Sequence, residues 1–141
     1  MKGKKSYGSK DYHIIVLVWS LFFITSCNIT KMVPEGRYLV SNVEVKVDTK
    51  DINDSQMSSF IRQKPNDPKI SLRVYNAYNG DTSRWIVKKM GAPPILYDSS
   101  QTDLSARNIR IEMANKGYLN AKVDTIINIS GKKIDVTYNV T

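Results

Sequence analysis

From Ala121 onward, apolar and polar positions alternate. Ala121, Val123, Ile127 and Ile129 fall at even spacing, with Lys122, Asp124 and Asn128 between them. After Ser130-Gly131, the residues Ile134, Val136, Tyr138 and Val140 alternate with Lys133, Asp135, Thr137 and Asn139. A period of two is that of a strand with one apolar face, and Ser-Gly between two such runs marks a tight turn. The pattern predicts a β-hairpin. Upstream, Asp103 to Lys116 contains no proline and no glycine, and Gly117 follows. That predicts a helix, capped by Ser99 or Ser100 and closed by a glycine in the left-handed region. Its apolar residues fall in two groups, Leu104, Ile111 and Ala114 on one side and Ala106, Ile109 and Met113 nearly opposite. Two apolar faces predict a helix wedged between a sheet and another helix.

The front half carries weaker signals. Tyr38 to Val47 reads as the first strand, with Val43, Val45 and Val47 on one face and Glu44, Lys46 and Asp48 on the other. Asp51 to Asp54 offers N-cap residues for a short helix in which Met57, Phe60 and Ile61 form one stripe. Gln63 to Pro68 ends it. Lys69 to Gly80 has no clear period and reads as loop or extended chain, with Leu72, Val74 and Tyr75 partly buried. Asp81-Thr82 caps another helix carrying Trp85, Ile86 and Met90, which stops at Gly91 before Pro93-Pro94. There Trp85 reads as a packing residue rather than a binding platform. The order strand, helix, helix, helix, strand, strand predicts an α+β layer with helices on one face of the sheet.

The composition adds a leader to this picture. The chain has 141 residues and 21 Lys+Arg against 13 Asp+Glu, a formal charge of +8. Lys2, Lys4, Lys5 and Lys10, with Asp11, precede an eleven-residue apolar run, Ile14–Ile24, and without them the balance falls to +5. That run is shorter than the ~20 residues of a spanning helix but suits a signal peptide. Asn28 to Arg37, punctuated by Pro34 and Gly36, reads as a tether. The remaining charge is mild, and no arginine-rich helix or aromatic platform points to nucleic acid.

Catalytic chemistry is poorly supplied. His13 lies in the leader and Cys27 is the single cysteine, so a chain without its leader has no histidine, no internal disulfide and no Cys/His zinc set. Asp48, Asp51 and Asp54 lack the glycine and terminal glutamate of a calcium loop and serve as cap and turn residues. The expectation is a protein that is not an enzyme and takes no cofactor or small-molecule substrate. Arg62, Lys64, Lys69, Arg73, Arg84, Lys88 and Lys89 outnumber Asp67 and Asp81 between positions 62 and 89. They read either as a basic face for lipid headgroups or an acidic partner, or as an ordinary solvated face.

Ile24-Thr25-Ser26-Cys27 resembles a bacterial lipobox, a branched apolar residue and two small ones before cysteine. The resemblance implies signal peptide 1–26, diacylglyceryl transfer to the Cys27 sulfur, cleavage before Cys27 and acylation (palmitate among the chains) of the new amine. Several acyl chains meet the two-signal requirement for stable anchoring. An ordinary signal peptide with a chance cysteine, or an uncleaved anchor, is the competing reading. Asn28 after the cysteine favours export to the outer membrane.

The body resembles a POTRA domain, the polypeptide-transport-associated module of the BamA/TamA outer-membrane assembly family. POTRA domains have a β-α-α-β-β order, and their second helix ends in a Gly-Tyr or Gly-Phe step into the hairpin, as in Asn115-Lys116-Gly117-Tyr118-Leu119-Asn120. Val33-Pro34-Glu35-Gly36-Arg37-Tyr38-Leu39, Ile61-Arg62-Gln63-Lys64-Pro65-Asn66 and Asp81-Thr82-Ser83-Arg84-Trp85 are similar to the lipoprotein branch of Bacteroidetes-type bacteria. The resemblance implies a lipidated tether at 27–37 and a domain at 38–141, with an insertion around 64–80 and a three-stranded mixed sheet. It also implies lipid anchoring at the outer membrane with the domain in the periplasm, facing unfolded outer-membrane clients or assembly subunits. Such a domain binds by β-augmentation, and the edge expected to do so is the first hairpin strand, Asn120 to Ile129, with Asn120, Ala121, Lys122, Val123, Asp124, Thr125 and Ile126 as its contact residues, while Val123, Ile127 and Ile129 are expected in the core. Family members carry several POTRA domains and a C-terminal barrel. The expectation is therefore a fragment of a larger barrel protein, with a stand-alone lipoprotein binding an envelope partner as the alternative.

Overall fold

Apolar residues at alternate positions make the third strand the spine of the fold. The computed structural model describes residues 29–67 and 69–141, so the signal segment and Cys27 lie outside the described residues. Among these the chain forms β1 (Leu39–Val47), α1 (Asp54–Ser58), α2 (Lys69–Ala77), α3 (Trp85–Met90), α4 (Ser99–Asn115), β2 (Val123–Ser130) and β3 (Lys133–Val140). The sheet order is β1-β3-β2, with β1 parallel and β2 antiparallel to β3. Central β3 buries Ile134, Val136, Tyr138 and Val140 on one face. This is the α+β, three-stranded mixed sheet that the sequence implies.

Two clusters hold the layers together. The main one joins Val45, Val136, Tyr138 and Val140 of the sheet to Met57 and Ile61 around α1 and to Ile109 and Met113 of α4. Buried Tyr138 keeps its hydroxyl satisfied against the Thr102 carbonyl at 3.4 Å, and burial pushes its pKa up, so it stays a neutral core residue. A smaller cluster joins Val33, Leu39 and Leu72, with Ile29 and Leu96 against it, where the entering chain meets α2 and the start of β1.

The end of α4 follows from Gly117. That glycine has φ +95°, the Gly117 N–H donates to the Ala114 carbonyl at 2.9 Å, and the Tyr118 N–H donates to the Met113 carbonyl at 2.9 Å. These two bonds form a Schellman stop, and Tyr118 folds back onto the main core. A Cβ at Gly117 would meet nothing within 4 Å, so an alanine there pays only for its backbone. Gly117→Ala is expected to cost about 1–2 kcal/mol in urea unfolding; an unchanged midpoint would show that the turn relaxes instead.

Several expectations are corrected. Lys69 to Ala77 is a helix rather than loop or extended chain, buried through Ser71, Leu72 and Asn76. The first turn of α4 is capped by Asp98, whose carboxylate accepts from the Ser100 N–H, not by Ser99 or Ser100. Asp81 does not cap α3. Its carboxylate accepts from the Ser83 hydroxyl and the Ser83 N–H one step earlier, which lower its pKa, and Arg84 stands at the N-cap without a side-chain capping bond. Trp85 is not a packing residue, being 72% exposed, and Met90 is exposed too; Val87 holds α3 to the fold. Nor is α4 wedged between apolar partners, because Ile111 on its second face is 51% exposed.

The tether is also not free. The Asn76 side-chain amide donates to the Ile29 carbonyl at 2.8 Å, and Lys31 donates to Asn79 at 2.8 Å. Farther on, Lys132 in the hairpin loop donates to the Val33 carbonyl at 3.1 Å and to Glu35 at 2.6 Å. That hydrogen bond, and then the Lys132 charge, hold the Glu35 carboxyl below the usual carboxylate range. The pair is exposed and adds little stability.

Candidate edge-strand interface

The geometry of the site is set by the hairpin loop. Gly131, at φ +58°, and Lys132 form a two-residue loop between Ser130 and Lys133, not the Ser130-Gly131 turn expected. Glycine at the first loop position in the left-handed region is the pattern of a type II′ turn. Residues flanking such a loop form a hydrogen-bonded pair, here Ser130 and Lys133. At the other end of the ladder Lys122 and Thr141 exchange both bonds, at 2.8 and 3.0 Å. In an antiparallel pair the bonded positions recur every second residue. Asp124, Ile126 and Asn128 therefore turn their backbone groups toward β3, while Val123, Thr125, Ile127 and Ile129 turn theirs away from the sheet. Among the described residues nothing pairs with that outward row.

Side chains are sorted separately. Val123, Thr125, Ile127 and Ile129 stand opposite Val140, Tyr138, Val136 and Ile134, on the helix-covered face. Cover from the helix layer runs out along the strand. Val123 is half-buried against the main core, whereas Ile127 is 42% and Ile129 56% exposed, so neither is the core residue expected. Ile126, on the other face, is exposed as well. The result is an edge with free donors and acceptors and isoleucines on both sides of it.

β1, the other edge, is closed at both ends. The Val40 N–H donates to the Ile95 carbonyl at 2.9 Å, the Tyr97 N–H to the Tyr38 carbonyl at 2.8 Å, and the Val47 N–H to the Asp54 carboxylate at 2.9 Å. Proteins blunt exposed edges with charge, proline or cover, because an open ladder recruits other chains. From Thr125 to Ser130 β2 has neither charge nor proline.

Of the expected edge residues, Val123, Asp124, Thr125 and Ile126 lie in β2. Lys122 pairs with Thr141, and the Ala121 N–H is tied back to the Tyr118 carbonyl, so Asn120 and Ala121 belong to the turn before the edge. Ile127 and Ile129, within the expected strand but not among its seven contact residues, complete the outward row. The signal that finds them is the two-residue loop, from which the bonding parity can be counted backwards. The seven basic residues are all exposed but do not form one cluster. Lys69 and Arg73 share a shallow groove with Lys133, while Arg62 bonds Gln101 and Arg84 pairs with Asp81 at 3.4 Å. Lys88 and Lys89 lie on α3. Among the described residues no group of three or more His, Cys, Asp or Glu could hold a metal, and no helix is long and apolar enough to cross a membrane.

Residues 38–141 match the family model described as POTRA, surface antigen variable number repeat. No curated protein and no solved structure matches the chain.

Proposed function

The chain belongs to the POTRA family, whose members in general mediate polypeptide interactions in outer-membrane protein assembly, and on that premise we propose that β2 receives an added strand from a client or partner. The observation that carries this reading is the outward backbone row of Val123, Thr125, Ile127 and Ile129, on a strand without cover, charge or proline over its second half. Main-chain bonds supply affinity for any extended segment, and the exposed isoleucines favour apolar side chains at alternate positions of that segment. The module binds rather than catalyses, and its clients are unfolded outer-membrane proteins or subunits of their assembly machinery. A lipid on Cys27 anchors it in the outer membrane with the domain in the periplasm, as the front of a larger barrel protein.

The test is a photo-crosslinking residue placed at Ile127 on the open edge and, separately, at Glu44 on β1, the strand whose ends are closed. Envelope clients are expected to crosslink at Ile127 and not at Glu44; equal yields at both positions would reject the edge. Deleting the gene separates the reading from its rival, a lipoprotein with an envelope partner but no part in assembly. Lower levels of outer-membrane barrels are expected, and unchanged levels would favour the rival.

A further inference from the structure

The helix pair between α1 and α4 exposes basic side chains and a tryptophan with a single acid among them. Trp85, Lys88 and Lys89 stand at i, i+3 and i+4 on α3, opposite buried Val87, and so share a face. Neighbouring α2 exposes Lys69, Ile70 and Arg73. From Lys69 to Met90 the only acid is Asp81, and it is engaged by Arg84, whose guanidinium also lies 5.2 Å from the Tyr78 ring centre. Among the described residues, Lys69, Arg73, Lys88 and Lys89 have no acidic partner. An exposed indole flanked by lysines is the composition of a membrane interface, where the ring sits at headgroup depth and the ammonium groups meet phosphate.

The entry of the chain says what such a face would meet. Ile29 is docked on α2 by the bond from Asn76, a residue only 2% exposed, and by packing against the cluster of Val33, Leu39 and Leu72. Two residues of backbone reach at most about 7 Å, so a lipid on Cys27 would bring its bilayer beside α2. We propose that Trp85, Lys88 and Lys89 form a second membrane contact, seated on anionic phospholipid headgroups, which fixes the orientation of the domain on the bilayer. This rests on the reading that Cys27 is lipidated. It also places the Lys132 end of the hairpin, which holds the tether, nearer the bilayer than the Lys122–Thr141 end.

The test uses the full chain carrying Trp19→Phe, so that Trp85 is the sole tryptophan, made with its own leader and reconstituted in phosphatidylglycerol–phosphatidylethanolamine vesicles containing chain-brominated lipid. Flotation and intact mass report anchoring and acylation independently of Trp85. Blue-shifted, quenched Trp85 emission is expected. A reporter in the turn after α4, Leu119→Trp with Trp85→Phe, lies beside the Lys122–Thr141 end of the hairpin, about 25 Å along β3 from its Lys132 end, and should stay unquenched. An acylated, floating chain with water-exposed, unquenched Trp85 overturns the contact and leaves the anchor standing. A chain that lacks the acyl mass overturns the anchor instead. The face is then judged with added phosphatidylglycerol vesicles. A blue shift whose partitioning falls about 25-fold in Lys88→Gln with Lys89→Gln keeps the contact, at about fivefold per lysine, and no shift overturns it.

Discussion

Ile109→Ala is expected to lower stability by about 3 kcal/mol, against less than about 0.5 kcal/mol for Ile111→Ala two residues along the same helix. Ile109 is fully buried in the cluster formed by Met57, Met113, Val136 and Tyr138. Removing three carbons there leaves a cavity with strands on one side and α4 on the other, neither of which can close it without breaking the ladder or the helix. Ile111 stands on the opposite face and already meets water. For a domain of this size the first change corresponds to a fall of about 12–20 °C in melting temperature, a large share of a typical margin. Urea and thermal unfolding of both variants decide the matter. Equal losses would mean that α4 is covered on both faces, as its sequence suggested, and that a partner or a further part of the chain packs over Ile111.

That helix shows where the sequence was informative and where it misled. Its length and its glycine stop were legible, because proline-free spacing and Gly117 act locally. Its second apolar face was not, since an isoleucine on a helix carries no mark of whether anything lies over it. In α2 the problem was reversed. Its inward positions include Ser71 and Asn76, so two of its three buried residues are polar and the apolar residues Ile70, Leu72 and Val74 fall at even spacing that mimics a strand. The buried amide N–H of Asn76 is satisfied by the bond to Ile29, a contact from 47 residues away that no window around α2 contains. Trp85 departs from the high average burial of tryptophan, and nothing in its own sequence window marks that. The hairpin was legible in its alternation, but its loop lies one residue later than the Ser-Gly pair implied. With Ser130-Gly131 as the loop, Ile129 would flank it, and the backbones of Val123, Thr125, Ile127 and Ile129 would face β3. The true loop leaves the side-chain faces unchanged and turns those same backbones outward. The expected edge thus began in the preceding turn, and its seven contact residues left out Ile127 and Ile129, which the structure leaves exposed.

Because neighbouring residues of β2 point their backbones in opposite directions, proline at two adjacent positions should separate binding from folding. Asn128 directs its N–H toward Asp135 across the ladder, and its side chain is exposed. Asn128→Pro removes that donor and leaves a carbonyl of central β3 without its partner, which is expected to cost about 2 kcal/mol or more. Ile127 directs its N–H to solvent and its side chain is only partly covered. Proline is tolerated on an edge strand at such a position, and the extended backbone of Ile126 suits the residue before a proline. Ile127→Pro should therefore keep its unfolding midpoint within about 1 kcal/mol of the parent. For an added strand the same change is severe. It deletes one donor of the row and sets a ring in the path of the incoming backbone, so binding of an extended client peptide is expected to weaken at least about tenfold, or 1.4 kcal/mol. Calorimetric titration with urea melts on both variants reads the two effects separately. Should Ile127→Pro fold and still bind at parental affinity, the partner does not add to β2, and the exposed isoleucines themselves become the surface to be tested.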